Sequence, residues 1–162
     1  MKSTIGISVL AVLALSGCMA TARFYPVRGP LASQTAPPVL VGRITGAFSS
    51  GSVSVTLADG EVCKGRWATV PRPETTQTPA APAEDMSSAW DTIYGPGFYV
   101  SHVLGSRLYA RAVLTGSRGT KLNFEMYKHE EGRADDPTLG IKGVAKDDKE
   151  NIYKVTFGSR NS

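Results

Sequence analysis

Two histidines, two cysteines and 14 acidic side chains are the groups in this 162-residue chain that could do acid–base, nucleophilic or metal chemistry. Their spacing tests each option in turn. Ser101-His102 sets a hydroxyl beside an imidazole in sequence, whereas a nucleophile and its base must meet in space. His129-Glu130-Glu131 lacks the second histidine that a metalloprotease helix carries four positions after the first. His102, His129 and the thiols have none of the close spacing of a zinc site. The run from Gly116 to Lys121 holds two glycines and a lysine, but without the four residues between glycines that a phosphate loop needs, and it joins two strands rather than a strand and a helix. Asp135-Asp136-Pro137 and Asp147 to Asn151 lack the alternating ligands and central glycine of a calcium loop, and read as turns. No catalytic set, metal site or cofactor is predicted. Carboxylates that converge from different strands stay open as a possibility.

Cys18 is different, because its chemistry is set by what precedes it. Lys2 and the apolar run Ile5 to Leu15 have the form of a secretory signal, too short to span a bilayer. Leu15-Ser16-Gly17-Cys18 then resembles the lipobox of bacterial lipoproteins. The resemblance implies cleavage before Cys18, a lipid on its thiol and a protein held on a membrane of the cell envelope through that residue. In enteric bacteria an aspartate after the cysteine is an inner-membrane retention signal; Met19 stands there instead, which points to the outer membrane. Several acyl chains, at about 0.8 kcal/mol per buried methylene, would make such an attachment durable.

Without residues 1 to 17, the remaining 145 residues are enough for one domain and its tails, with 17 basic against 14 acidic side chains. The basic residues are scattered along the chain. Nucleic-acid binding favours a concentrated stripe, and no nucleic-acid partner is predicted. Anionic envelope polymers and phospholipid headgroups are conceivable partners; a solvated surface is the plainer reading. With Cys18 lipidated, Cys63 has no partner within the chain. It is expected to be a buried, inert thiol, with a disulfide to another envelope protein as the competing reading.

The elements that would position these groups are strands. Residues 18 to 38, with four prolines, read as a lipidated N-terminus and flexible tether whose Phe24-Tyr25 pair rests on the membrane or docks on the domain. A single β domain is predicted over residues 39 to 158, followed by a tail over 159 to 162. Val53, Val55 and Leu57 alternate with polar residues, Asp59-Gly60 marks a tight hairpin, and Cys63, Gly65 and Trp67 share a face of the return strand. Gly65 in mid-strand signals a bulge, a bend or a close approach by another backbone. Pro71 to Ser88 is a proline-rich surface loop. Residues 89 to 94 suggest one or two helical turns, and Phe98 to Leu104 a strand. Arg107 to Thr115, Leu122 to Met126, Leu139 to Lys146 and Ile152 to Phe157 complete about seven or eight short antiparallel strands. The fold class is all-β, a small barrel or sandwich.

Trp90, Tyr94, Phe98, Tyr99 and His102 form the candidate binding surface. Plugging one end of a barrel would use the same aromatics as core. Two functions follow. One is a non-catalytic, lipid-anchored envelope protein with a structural or binding role. The other is an enzyme or enzyme inhibitor acting on envelope glycans or peptides at a cleft near Trp90 to His102.

Overall fold

Period-two alternation of buried and exposed side chains marks most of the eight strands among the described residues. The computed structural model describes residues 18–47, 49–70, 86–104, 106, 109–128 and 140–158. The strands are β1 (Cys18–Arg28), β2 (Leu40–Ala47), β3 (Ser50–Thr56), β4 (Val62–Thr69), β5 (Tyr109–Gly116), β6 (Lys121–Lys128), β7 (Ile141–Asp147) and β8 (Ile152–Gly158). Each pairs antiparallel with the next, and β1 pairs with β8 to close the ring. The all-β prediction therefore resolves to a barrel rather than a sandwich.

Inward positions carry the core. Val53, Val55 and Leu57 of the β3 region, Cys63 and Trp67 of β4, Ala110, Ala112 and Leu114 of β5, Leu122 and Phe124 of β6, and Tyr153, Val155 and Phe157 of β8 are buried in one cluster, on the faces that alternation assigns them. Phe24, Phe124, Phe157 and Tyr153 meet at ring-centroid distances of 6.0–6.4 Å and fill the middle of the barrel. The expectation of a close approach at Gly65 holds. A Cβ there would run into the Val113 carbonyl of β5, so only glycine lets these strands pack as they do.

The expected tether is a correction. Residues 18 to 28 are β1, hydrogen-bonded to β2 on one side and β8 on the other, so they belong to the domain, which does not start at residue 39. Ala22 and Phe24 point inward and are fully buried, while Met19, Arg23 and Tyr25 face out. Small alanines at inward positions hide this alternation from a reading that looks for large residues. Pro26 sits where the register with β8 shifts, at a bulge that tolerates proline. The connection to β2 is tied down as well, because the Leu31 N–H donates to Asn151 Oδ1 at 2.9 Å.

A second correction concerns residues 98 to 104. They form no strand. A helix, α1 (Ser87–Tyr94), is followed by a π-helical segment, Tyr99–Val103. This pair lies against the outer wall of the barrel, over β6 to β8, and not as a plug in its end. Met86, Ala89, Trp90 and Val103 pack there on Tyr109, Tyr127, Val144 and Ile152, all outward-facing residues of the sheet, and make a second core. Of the predicted loop from Pro71 to Ser88, positions 71–85 lie outside the described residues, and Met86 to Ser88 belong to the start of α1. The signal segment, the charged stretch 129–139 with His129 and Asp135, and the tail 159–162 lie outside them too.

Candidate functional site

All five aromatic residues singled out from the sequence are brought together. Trp90, Tyr94, Phe98 and His102 recur every four residues, and a helical path stacks them in one line. Trp90–Tyr94 centroids are 5.6 Å apart, Tyr94–Phe98 4.9 Å and Phe98–His102 4.5 Å, with interplanar angles of 30° or less. The line survives the break at Gly95-Pro96-Gly97 because the Asp91 carboxylate receives the backbone N–H groups of Gly97 and Tyr99, each at 3.0 Å. Gly95 and Gly97 have φ values of 107° and 78°, a backbone conformation that favours glycine.

The stack is anchored from below by a residue the sequence reading did not single out. Glu125 is an outward position of β6, yet it is almost fully buried beneath α1. Its carboxylate accepts the Trp90 indole N–H at 2.7 Å and the Tyr109 hydroxyl through a very short bond. Burial and the neighbouring carboxylate push the Tyr109 phenol well above its ordinary pKa. Tyr94 is pushed up to about 12, chiefly by burial, and its hydroxyl reaches the Gly143 carbonyl oxygen at 3.5 Å. The signal for Glu125 was its place between Phe124 and Met126 in a strand whose other face is core. An acid there is either solvated or covered, and α1 covers it.

This arrangement holds a helix on a wall more than it receives a ligand. Trp90 is fully buried, so neither face of its ring is open. Tyr94, Phe98 and Tyr99 are half-buried, with Tyr94 and Phe98 stacked on each other, and only His102 stands exposed at the end of the line. Cys63 is fully buried, and burial together with the Glu61 charge pushes its thiol up to about 11, the reverse of what activates a nucleophile.

The other buried carboxylates organise turns at the end of the barrel away from Cys18. Glu61 accepts the Thr120 hydroxyl at 2.7 Å and the Arg118 backbone N–H at 2.6 Å. Asp147 accepts two bonds from Asn151, at 2.9 Å each, and the Tyr153 hydroxyl at 2.7 Å. Asp59 joins the hairpins electrostatically, 2.7 Å from Arg118 and 3.6 Å from Lys149. Among the described residues, no group of three or more His, Cys, Asp or Glu side chains is placed to hold a metal ion. Comparison with protein-family models, with curated proteins and with solved structures finds no match for this chain.

Proposed function

We propose that this protein is a lipid-anchored component of a bacterial cell envelope, attached through Cys18 on the outer membrane, with a non-catalytic structural or binding role. The observation that carries the non-catalytic reading is the filled barrel. Trp67, Phe24, Phe124, Tyr153 and Phe157 occupy the space in which an eight-stranded barrel would otherwise hold a small ligand. The competing reading, an enzyme or inhibitor acting at a cleft near Trp90 to His102, needs those rings to line a cleft. Three of them are spent on one another and on Glu125 instead.

Support for the anchor comes from the lipobox, and the barrel is compatible with it. A cut before Cys18 leaves all eight strands on the mature side. The lipid would then sit on the first residue of β1, with no spacer between the acyl chains and the sheet. Metabolic labelling with a fatty-acid analogue, combined with membrane fractionation, tests the reading. The wild-type chain is expected to be labelled and to stay membrane-bound through a high-salt wash, and Cys18→Ala to be unlabelled and released by that wash. A labelled Cys18→Ala protein, or an unlabelled wild type, overturns it.

A further inference from the structure

The basic residues that look scattered in sequence converge once the strands are in register. Arg43 of β2 lies opposite Ser54 of β3, which lies opposite Lys64 of β4; Arg66 lies opposite Ser52, and Ser52 opposite Thr45. With strands about 4.8 Å apart, Arg43 and Lys64 flank a serine across a span of about 10 Å. These six side chains line a shallow depression of about 470 Å³ on the outer wall. Arg43, Lys64 and Arg66 are all exposed. Arg23 stands on the same wall, one strand over, opposite Val41. No residue of β1, β2, β3, β4 or β5 is an aspartate or glutamate, so the wall carries cations with no acid among them.

Apolar side chains are interleaved with those cations. Met19, Tyr25, Val41 and Val62 face outward and are between 37% and 54% exposed. Val39 and Val41 line a second depression, of about 570 Å³, that shares Arg43 and Ser54 with the first. This half of the barrel is the one opposite β6 to β8, the strands that α1 covers.

We infer that the outer wall of β1 to β4 is a membrane-docking face that seats anionic phospholipid headgroups, with Arg43, Lys64 and Arg66 on the phosphates. A soluble polyanion would be satisfied by the cations alone. The exposed valines, Met19 and Tyr25 between them suit the boundary between headgroups and acyl chains, where basic and apolar contacts add. The anchor position agrees. Thr21, the partner of Arg43, is three residues from Cys18, about 10 Å along the strand, and Met19 shares a row with Thr45, Ser52 and Arg66. A barrel tied to the bilayer at Cys18 without a spacer would rest on this wall. The orientation rests on the lipid-anchor reading; the binding of headgroups does not. The wall lies on the surface and does not enter it, since cations at the bilayer midplane cost about 2–4 kcal/mol each.

The test uses the chain from residue 18 with Cys18→Ser, which holds every strand of the closed barrel and has no thiol to lipidate. It is sedimented with vesicles of phosphatidylcholine alone or with one third phosphatidylglycerol. Binding is expected to need phosphatidylglycerol and to vanish at high salt. The triple variant Arg43→Ser, Lys64→Ser, Arg66→Ser should lose affinity on the order of 100-fold, about fivefold per cation. Its thermal unfolding should match the parent. A control of equal charge at outward positions of β7 and β8, Lys142→Ser, Lys146→Ser, Lys154→Ser, should lose far less. Equal losses in the two triple variants, equal binding to both vesicles, or binding to soluble polyphosphate without binding to vesicles would each overturn the proposal. Failure of the anchor reading would show separately, as absent fatty-acid labelling of Cys18.

Discussion

Trp67 lies over Gly51, its partner across the β3–β4 ladder, so closely that a Cβ on Gly51 would sit 2.5 Å from the indole nitrogen. Gly46 lies opposite Gly51 on β2, and a Cβ there would come 2.7 Å from the same ring. The indole N–H donates to the Thr45 carbonyl oxygen at 3.1 Å. Two glycines from neighbouring strands thus make the floor on which one large ring lies, and the ring closes that part of the barrel.

Removing either half of this arrangement should destabilise the fold. Trp67→Ala is expected to cost about 3–5 kcal/mol through the cavity it leaves. Gly51→Ala keeps the ring and adds a methyl group where there is no room, for an expected cost of about 1–3 kcal/mol or more. Urea denaturation followed by circular dichroism measures both. A Gly51→Ala barrel as stable as wild type would show that the Thr45 carbonyl, the nearest atom to the added methyl, and the ring can both move aside.

The strands were readable wherever large apolar residues alternate with polar ones, as in Val53 to Leu57 and Leu122 to Met126. β1 escaped because its inward residues before Phe24 are alanines and prolines follow close behind. Closure depends on the pairing of β1 with β8, so missing β1 left barrel and sandwich undecided. The segment from Phe98 to Val103 escaped for a different reason. Phe98, Tyr99, Val100 and Val103 favour strands, and their helical path is imposed by the Asp91 cap and by stacking on Trp90. The cation wall was invisible because its members come from different strands, and only the register sets Arg43, Lys64 and Arg66 side by side.

Glu125 should be the polar residue on which the seat of α1 most depends. Glu125→Gln keeps its size but offers one neutral acceptor oxygen to two donors. With that oxygen on the Trp90 indole, the amide NH2 faces the Tyr109 hydroxyl, whose own proton loses its buried carboxylate acceptor. Leaving one such group unsatisfied costs about 1–3 kcal/mol. The expected sign is a lower denaturation midpoint with altered tryptophan fluorescence, since Trp90 sits on the carboxylate. Tyr109→Phe removes one donor and should cost less. Equal midpoints for wild type and Glu125→Gln would place the stability of α1 in its apolar contacts alone.

Acid should weaken the end of the barrel away from Cys18. The Thr120 hydroxyl and the Arg118 N–H hold the Glu61 carboxyl below its usual range, and the Glu61 backbone N–H and the Arg118 guanidinium do the same for Asp59. Groups with lowered native values stabilise the fold above their unfolded values, near 4, and lose that contribution as pH falls through the native ones. The melting temperature should therefore fall below about pH 4.5, and Glu61→Gln should flatten that fall. Arg118→Ala should have the smaller effect at neutral pH, because its side chain is half exposed and its ion pair with Asp59 is screened. A melting temperature unchanged between pH 5 and pH 2.5 would refute the assignment.

Cys63 should titrate in the opposite sense. It is fully buried between strands, with Glu61 nearby, and its thiol is pushed up to about 11. The unfolded chain ionises this group near pH 8.5 to 9. Between those values the native state holds a proton that the unfolded state has lost, so the contribution of the thiol is complete below about pH 8.5 and declines as pH rises towards 11. Stability should fall across that window, and Cys63→Ala, which cannot ionise, should fall less steeply despite its small cavity. Reactivity follows from the same burial. A thiol-alkylating reagent should label Cys63 at neutral pH only when denaturant is present. Rapid labelling of the native protein would falsify the burial and would return the disulfide-linked envelope partner to consideration.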